Sequence, residues 1–192
     1  MLFTKFFGEQ LPWKLLTVEA LLVVLSVLLA LALNGWRQAQ ADARVAQRAV
    51  QEFASEVVSN CERVRSVQAY HRAVVAGERE PEGIRIGLLR NGAWDIAKST
   101  GAAAHLQHDW VARMVEVSAL QADHRTIVQA YIQVLLAQGL QAKTKAQWHL
   151  EGERGVVSEL LRIQDDLLLS YAGFLEPLAE SRRPPLASAC LP

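Results

Sequence analysis

The 192-residue sequence contains only two cysteines, Cys61 and Cys190, and they lack the spacing of metal ligands. Glycine-rich phosphate loops are absent, and Ser99 does not lie in the G-x-S-x-G motif of a hydrolase nucleophile. Basic residues form no run with interleaved aromatics, and their number, 20, equals that of the acidic residues. We therefore predict no nucleic acid partner, no catalytic residues, no cofactor and no enzymatic activity.

The sequence contains one group of potential metal ligands. His105, His108 and Asp109 lie close together, and histidines three residues apart on a helix can reach one ion. No glutamate or third histidine completes the set, and Asp109 is better placed to cap a helix. We predict no metal site here.

The sequence leaves the pairing of the two cysteines open. Cys61 falls inside a predicted helix and is most simply a small buried residue. A disulfide to Cys190 would tie the proline-rich tail back to that helix if the domain lies in an oxidising compartment.

The longest apolar stretch runs from Leu15 to Leu33, and its only ionisable residue is Glu19. A helix of this length is roughly 28 Å long, about the thickness of a hydrocarbon core. Trp13 and Trp36 bracket it, where interfacial aromatic rings are favoured. We predict a transmembrane helix with these tryptophans as interfacial anchors and the lipid bilayer as a partner.

Two alternatives remain for this stretch. It could be the buried core helix of a soluble protein, or a signal peptide cleaved after Ala32, since Ala30-Leu31-Ala32 has the required small-x-small form. The apolar run is longer than a usual signal sequence and follows an apolar leader, which favours a retained anchor.

One face of the predicted span carries small and polar residues: Glu19, Ser26, Ala30 and Asn34. Small residues four apart allow close helix approach, and a carboxyl group in the span favours a protein neighbour over lipid. This predicts a helix-packing face for a homo-oligomer or another membrane protein. In the alternative, Glu19 snorkels to the interface and Ser26 bonds to its own helical turn.

Beyond Trp36, apolar residues recur every three or four positions in three long segments, and strand patterns are scarce. We predict an all-α fold, in which the transmembrane helix continues into a long amphipathic helix within a bundle of three to five helices. The predicted divisions are an interfacial leader (1–14), a transmembrane helix (15–36), a bundle domain (37–180) and a flexible tail (181–192).

The shorter elements are predicted from local signals. Gly77 ends the first helix, residues 84–89 favour a helix, and Asn91 caps a helix over 93–100 that Gly101 closes and that Trp94 and Ile96 pack onto the bundle. A second long helix covers 109–138, with Asp109 as its cap and Gly139 at its end. Further helices cover 140–150, interrupted near Gly152 and Gly155, and a run from Val157 that stops at Pro177.

Each long apolar seam contains polar residues: Asn60, His71, Gln121, His124 and Gln164. Buried polar groups must pair with one another or with water. One hypothesis is that these five form a polar layer or a small-ligand pocket. The alternative is that they are satisfied core residues, with Asn60 fixing the helix register.

Several motifs resemble a family of uncharacterised single-pass bacterial membrane proteins. They are Glu19 before an apolar run closing on Leu31-Ala32-Leu33-Asn34-Gly35-Trp36-Arg37, then Glu56-Val57-Val58-Ser59-Asn60, Tyr70-His71, Asn91-Gly92-Ala93-Trp94-Asp95, Ser99-Thr100-Gly101-Ala102 and Leu120-Gln121. The chain departs from that pattern at Ser118, where the family tends to carry tyrosine. The resemblance implies an anchored helical domain and supplies no activity.

The leading functional hypothesis is a membrane-anchored, non-enzymatic helical module that assembles with itself or with another envelope protein. The alternative is a periplasmic ligand-binding or sensor domain that uses the polar layer. The charges flanking the span are nearly balanced, so they do not decide its orientation. A short leader and a large trailing domain favour a bacterial inner-membrane protein with a cytoplasmic N-terminus and a periplasmic domain.

Overall fold

Four α-helices make up most of the protein. The computed structural model describes residues 13–80, 85–140, 148–181 and 190, and within them forms α1 (Trp13–Val75), α2 (Ala93–Ser99), a 3-10 turn (Ala102–His105), α3 (His108–Leu140) and α4 (Trp148–Ser181), with no strand. The predicted all-α fold is confirmed. The predicted leader and tail lie largely outside the described residues. The chain divides into two compact units, with the boundary after Arg44, inside α1.

The first unit contains the apolar part of α1, which is long and apolar enough to cross a membrane. None of this apolar window is buried against another part of the described chain. The exposed large apolar side chains are Leu16, Val18, Leu21, Leu22, Val23, Val24, Leu25, Val27, Leu28, Leu29, Leu31 and Leu33. The alternative of a core helix buried within this chain is therefore wrong.

The second unit packs α4 antiparallel to both the remainder of α1 and α3. Phe53 of α1 meets Phe174 of α4, while His71 meets Gln164 further back along α4. Arg113 and Tyr131 of α3 contact α4 in the same reversed order. The three long segments thus form a bundle in which α1 and α3 run in the same direction.

Two apolar clusters join the long helices within the described residues, and a third packs α2 against α1. The larger joins α1, α3 and α4 around Phe174, whose ring centroid lies 4.9 Å from that of Phe53 and 5.4 Å from that of Trp110. Such edge-to-face pairs contribute about 0.5–1.5 kcal/mol each beyond the area they bury. The smaller cluster comprises Tyr70, Val74, Tyr131 and Val157.

Cys61 and Cys190 form a disulfide, with their α-carbons 5.5 Å apart. Both residues are buried, and Cys190 belongs to the larger apolar cluster. The structure therefore answers the question that the sequence leaves open. The disulfide connects the tail, at Cys190, to the middle of α1.

The prediction that the last helix stops at Pro177 is wrong, because α4 continues to Ser181. A proline inside a helix lacks the N–H that would bind the carbonyl four residues earlier. That carbonyl belongs to Gly173, and it accepts a hydrogen bond from Nη1 of Arg113 at 2.5 Å. Helix α3 thus satisfies the acceptor that Pro177 leaves open.

The glycine interruptions predicted near Gly152 and Gly155 are also absent, because α4 is continuous from Trp148. Glycine in a helix interior costs about 1 kcal/mol relative to alanine, which tertiary packing can override. Residues 141–147, where the preceding part of that helix was predicted, lie outside the described residues.

Helix α3 begins one residue earlier than predicted, at His108, and includes Gly139. Asp109 therefore lies in its first turn and does not cap it.

Around α2 the sequence-based predictions are partly wrong. Residues 85–89 are not helical, and Ile84 lies outside the described residues. Ile96 is exposed, whereas Trp94 is half-buried and Ala97 packs with Ala49 and Ala102. Gly101 closes this short helix in the left-handed conformation, as predicted, and Gly77 follows α1 with the same geometry.

Gly87 packs so closely on α1 that a side chain should not be accommodated. A Cβ atom there would lie 2.7 Å from the carbonyl oxygen of Arg63, which belongs to a helical backbone and cannot easily move. We expect Gly87→Ala to lower the free energy of unfolding by about 1–3 kcal/mol. Urea unfolding of the full chain in non-ionic detergent measures this difference.

Gly92→Ala is the matched control for that substitution. A Cβ atom at Gly92 meets nothing within 4 Å, and its φ of −93° suits alanine. It should change stability by no more than about 0.5 kcal/mol. Equal effects of the two substitutions would contradict the close approach at Gly87.

Candidate functional site

The segment of residues 85–92, named the strap here, has no regular secondary structure and runs along α1 in the opposite direction. Polar side chains of α1 bind its main chain. Nε2 of His71 lies 2.8 Å from the carbonyl oxygen of Arg85, and Nη1 of Arg63 donates to the carbonyl oxygen of Leu88 at 3.0 Å. These bonds attach the first half of the strap.

Asn60 and Glu56 bind the second half. The Asn60 side chain donates to the carbonyl oxygen of Arg90 at 2.7 Å and accepts from its N–H at 2.8 Å. Oε2 of Glu56 accepts the N–H groups of Gly92 and Ala93, both at 2.9 Å. Asn60 therefore pairs with main chain, and Glu56 replaces the predicted Asn91 cap at the start of α2.

The strap and the part of α1 that binds it have similar lengths. An extended strap rises about 3.3 Å per residue, so residues 85–92 span roughly 23 Å. A helix rises about 1.5 Å per residue, so α1 covers a similar distance between Glu56 and His71. The two backbones therefore stay in step over the whole strap, which allows one helix face to bind it at several points.

His71 also connects the strap to α4. Its Nδ1 lies 3.0 Å from Oε1 of Gln164, so both ring nitrogens face oxygen atoms. Two arrangements satisfy both contacts: a ring protonated on both nitrogens, or a neutral ring with the Gln164 amide turned so that its Nε2 donates to Nδ1.

Gln121 and Tyr171 form the next polar contact in the core. Nε2 of Gln121 donates to the Tyr171 hydroxyl at 3.2 Å, while Oε1 of Gln121 has no hydrogen-bond partner among the described residues. Burial raises the pKa of Tyr171 above its ordinary value. The phenol is therefore neutral and can serve as donor or acceptor.

His124 is the least satisfied member of the group. It is only 2% exposed, and its Nε2 has no hydrogen-bond partner among the described residues. Burial, and then the charge of nearby His71, lower the pKa of His124 to about 4. At neutral pH the imidazole is uncharged.

A cavity of about 190 Å³ lies beside these groups, between the strap and α3. The residues relevant to its chemistry are Leu89, Asn91, Gln121, His124, Arg125 and Val128. The five predicted polar residues are thus all buried, but they divide by role. Asn60 binds the strap, His71 and Gln164 pair with each other, and only Gln121 and His124 line this cavity.

Sequence reasoning missed Glu56, Arg63 and Tyr171 as members of this polar core. Glu56 lies four residues before Asn60, on the same helix face, and this spacing was the available signal. No local signal identifies Tyr171, because its partner Gln121 is 50 residues away in sequence.

The predicted membrane-facing residues lie on the exposed part of α1. Glu19, Ser26, Ala30 and Asn34 are all exposed, as are Trp13 and Trp36. The Ser26 hydroxyl donates to the carbonyl oxygen of Val23 at 2.8 Å. Ser26 therefore bonds to its own helical turn, as the alternative to a helix-packing role predicts.

Within the described parts of the chain, no three His, Cys, Asp or Glu side chains are grouped to hold a metal ion. His105, His108 and Asp109 are all exposed. Comparisons with protein-family models, with curated proteins and with solved structures found no match for this chain.

The depressed pKa of His124 predicts acid sensitivity. The unfolded chain takes up this proton near pH 6.5, but the folded chain does so only near pH 4. Stability from this group is therefore complete above about pH 6.5 and is lost as the pH falls toward 4. Between neutral pH and about pH 5 the loss should be about 2 kcal/mol.

Urea unfolding of the full chain in detergent at both pH values tests this expectation. His124→Gln should remove about 2 kcal/mol of the pH dependence. His108→Gln, at an exposed position, should leave it unchanged. An unaltered pH dependence in His124→Gln would show that another group causes any acid sensitivity.

Proposed function

We propose that this protein is a membrane-anchored, non-enzymatic helical module. The observation that carries the proposal is the unburied apolar stretch of α1, with twelve large apolar side chains exposed between Leu16 and Leu33. Transfer of each such side chain from water is worth about 1.5–3 kcal/mol, or roughly 20–35 kcal/mol together. This exceeds the net stability of a typical domain, about 5–15 kcal/mol. A lipid bilayer is the solvent that suits this surface.

The proposed location is a bacterial inner membrane crossed once, with the N-terminus in the cytoplasm and the second unit in the periplasm. The Cys61–Cys190 disulfide supports this orientation, because disulfides persist in the periplasm and are rare in the cytosol. The resemblance to single-pass bacterial membrane proteins is consistent with the same arrangement.

The proposed partner is a second copy or another envelope protein, bound through the face that carries Glu19, Ser26, Ala30 and Asn34. Ser26 and Ala30 are small enough for close helix contact. The bond from Ser26 to Val23 leaves its hydroxyl oxygen able to accept a second hydrogen bond.

Membrane anchoring is tested by fractionation and mass measurement. The intact chain should stay with vesicles after a carbonate wash, and its mass should exclude cleavage after Ala32. Leu25→Arg combined with Leu28→Arg should move much of the protein to the soluble or degraded fraction, because each arginine costs about 2.5–3.5 kcal/mol at the centre of a span.

The matched control is Leu169→Arg, at a position in α4 that is 76% exposed. It should leave fractionation unchanged. A wild-type chain that begins at Leu33, or that leaves the vesicles on washing, would reject the anchored module.

Orientation is tested through the disulfide. In intact cells Cys61 and Cys190 should resist thiol alkylation until a reductant is added, and a C-terminal phosphatase that is active only in the periplasm should be active. Cys190→Ser should lower the free energy of unfolding by about 2–4 kcal/mol, since the disulfide joins positions 129 residues apart. Free thiols together with an inactive reporter would place the domain on the cytoplasmic side.

A second candidate function is a periplasmic ligand-binding or sensor domain. The observation that favours it is the cavity lined by Gln121 and His124, because Oε1 of Gln121 and Nε2 of His124 lack partners within the described chain. The two functions are compatible, because the cavity and the apolar stretch belong to different units.

A further inference from the structure

Two residues that line the cavity between the strap and α3 each carry a buried polar atom that the described chain does not satisfy. Oε1 of Gln121 and Nε2 of His124 have no hydrogen-bond partner there, and their residues are 1% and 2% exposed. An unsatisfied buried polar group destabilises the folded state. A molecule that supplies hydrogen bonds to these atoms would therefore recover free energy on binding.

The rim of the cavity carries a positive charge. Arg125 lines it, is exposed, and forms no ion pair with the described residues. A guanidinium group binds a carboxylate through paired N–H donors. Leu89 and Val128 provide apolar wall. The volume of about 190 Å³ is small and suits a compound of roughly ten non-hydrogen atoms.

The interior excludes charge of either sign. A cation deep in the cavity would lose its hydration, and the same burial already disfavours protonation of His124. An anion there would face the unpartnered Gln121 oxygen. A neutral O–H or amide N–H donor is the group that complements this oxygen, with any negative charge held at Arg125.

We propose that this cavity binds a small carboxylate that also carries a hydroxyl or amide N–H group. The carboxylate pairs with Arg125 at the rim, the neutral donor binds Oε1 of Gln121, and His124 forms a further hydrogen bond. This inference rests on the second candidate function and specifies its ligand class. Its failure would leave membrane anchoring untouched, because the fractionation test does not involve the cavity.

Three matched compounds test the proposal on the full chain in non-ionic detergent: 2-hydroxy-4-methylpentanoate, 4-methylpentanoate without the hydroxyl, and 4-methylpentane-1,2-diol without the carboxylate. Ring nitrogen shifts of His124 in NMR titrations report occupancy directly. The hydroxy acid should move these shifts in a saturable way. Each compound that lacks one group should bind roughly tenfold more weakly, the loss expected for one well-placed hydrogen bond or ion pair.

Two exposed arginines give a matched pair of variants. Arg125→Gln should weaken binding of the hydroxy acid about three- to tenfold and leave the diol unaffected, since only the carboxylate uses this charge. Arg48→Gln, at an exposed position of α1 outside the cavity, should change neither. Both side chains are exposed, so neither substitution should disturb the fold.

Three outcomes would overturn the proposal. Absence of any saturable His124 shift with the three compounds would indicate a cavity occupied by water alone. Equal binding of all three would show that neither polar group is recognised. Equal weakening by Arg125→Gln and Arg48→Gln would show a general charge effect. Gln121→Leu gives a further check: with an unchanged folded spectrum it should abolish the preference for the hydroxyl.

Discussion

An extended main chain inside a helical protein needs hydrogen-bond partners, and α1 supplies them to the strap. His71, Arg63, Asn60 and Glu56 bind main-chain groups from Arg85 to Ala93. A strand would have paired these groups with another strand, and a helix would have paired them internally. Because side chains of one helix do so here, the strap can return along α1 and place α2 and α3 beside it. The bundle geometry depends on this attachment.

The same attachment explains why polar residues occupy apolar seams. Asn60 satisfies both main-chain groups of Arg90, and His71 joins the strap to Gln164 of α4. Apolar clusters form the rest of the core. Gln121 and His124 are different, because each has a polar atom without a partner in the described chain and also lines a cavity. The polar core therefore has two parts. Asn60 and His71 hold the strap and α4 in place, whereas Gln121 and His124 present hydrogen-bonding groups beside the cavity.

The two parts of helix α1 present different surfaces. Before Arg44 its apolar side chains are exposed, whereas from Ala49 onward apolar residues at helical spacing are buried in the bundle. Sequence composition distinguishes the two parts clearly, since residues 16–33 are apolar on most faces and the second part is apolar on one. The proposed function follows from this contrast, because lipid suits the first surface and a protein core suits the second.

The helical class, the long helices and the buried seams can be predicted from the sequence, because periodic burial along a helix is a local property that the residue order carries. Asn60, His71, Gln121, His124 and Gln164 are identified as interior in this way. Their hydrogen-bond partners follow from the three-dimensional packing alone, because bonds between segments depend on positions far apart in the chain. Pro177 shows the same limit: its local signal predicts a helix end, yet Arg113 from α3 satisfies the carbonyl that it leaves open. The helix predicted over residues 84–89 is wrong for the same reason, since the side chains that bind residues 85–89 of the strap come from α1.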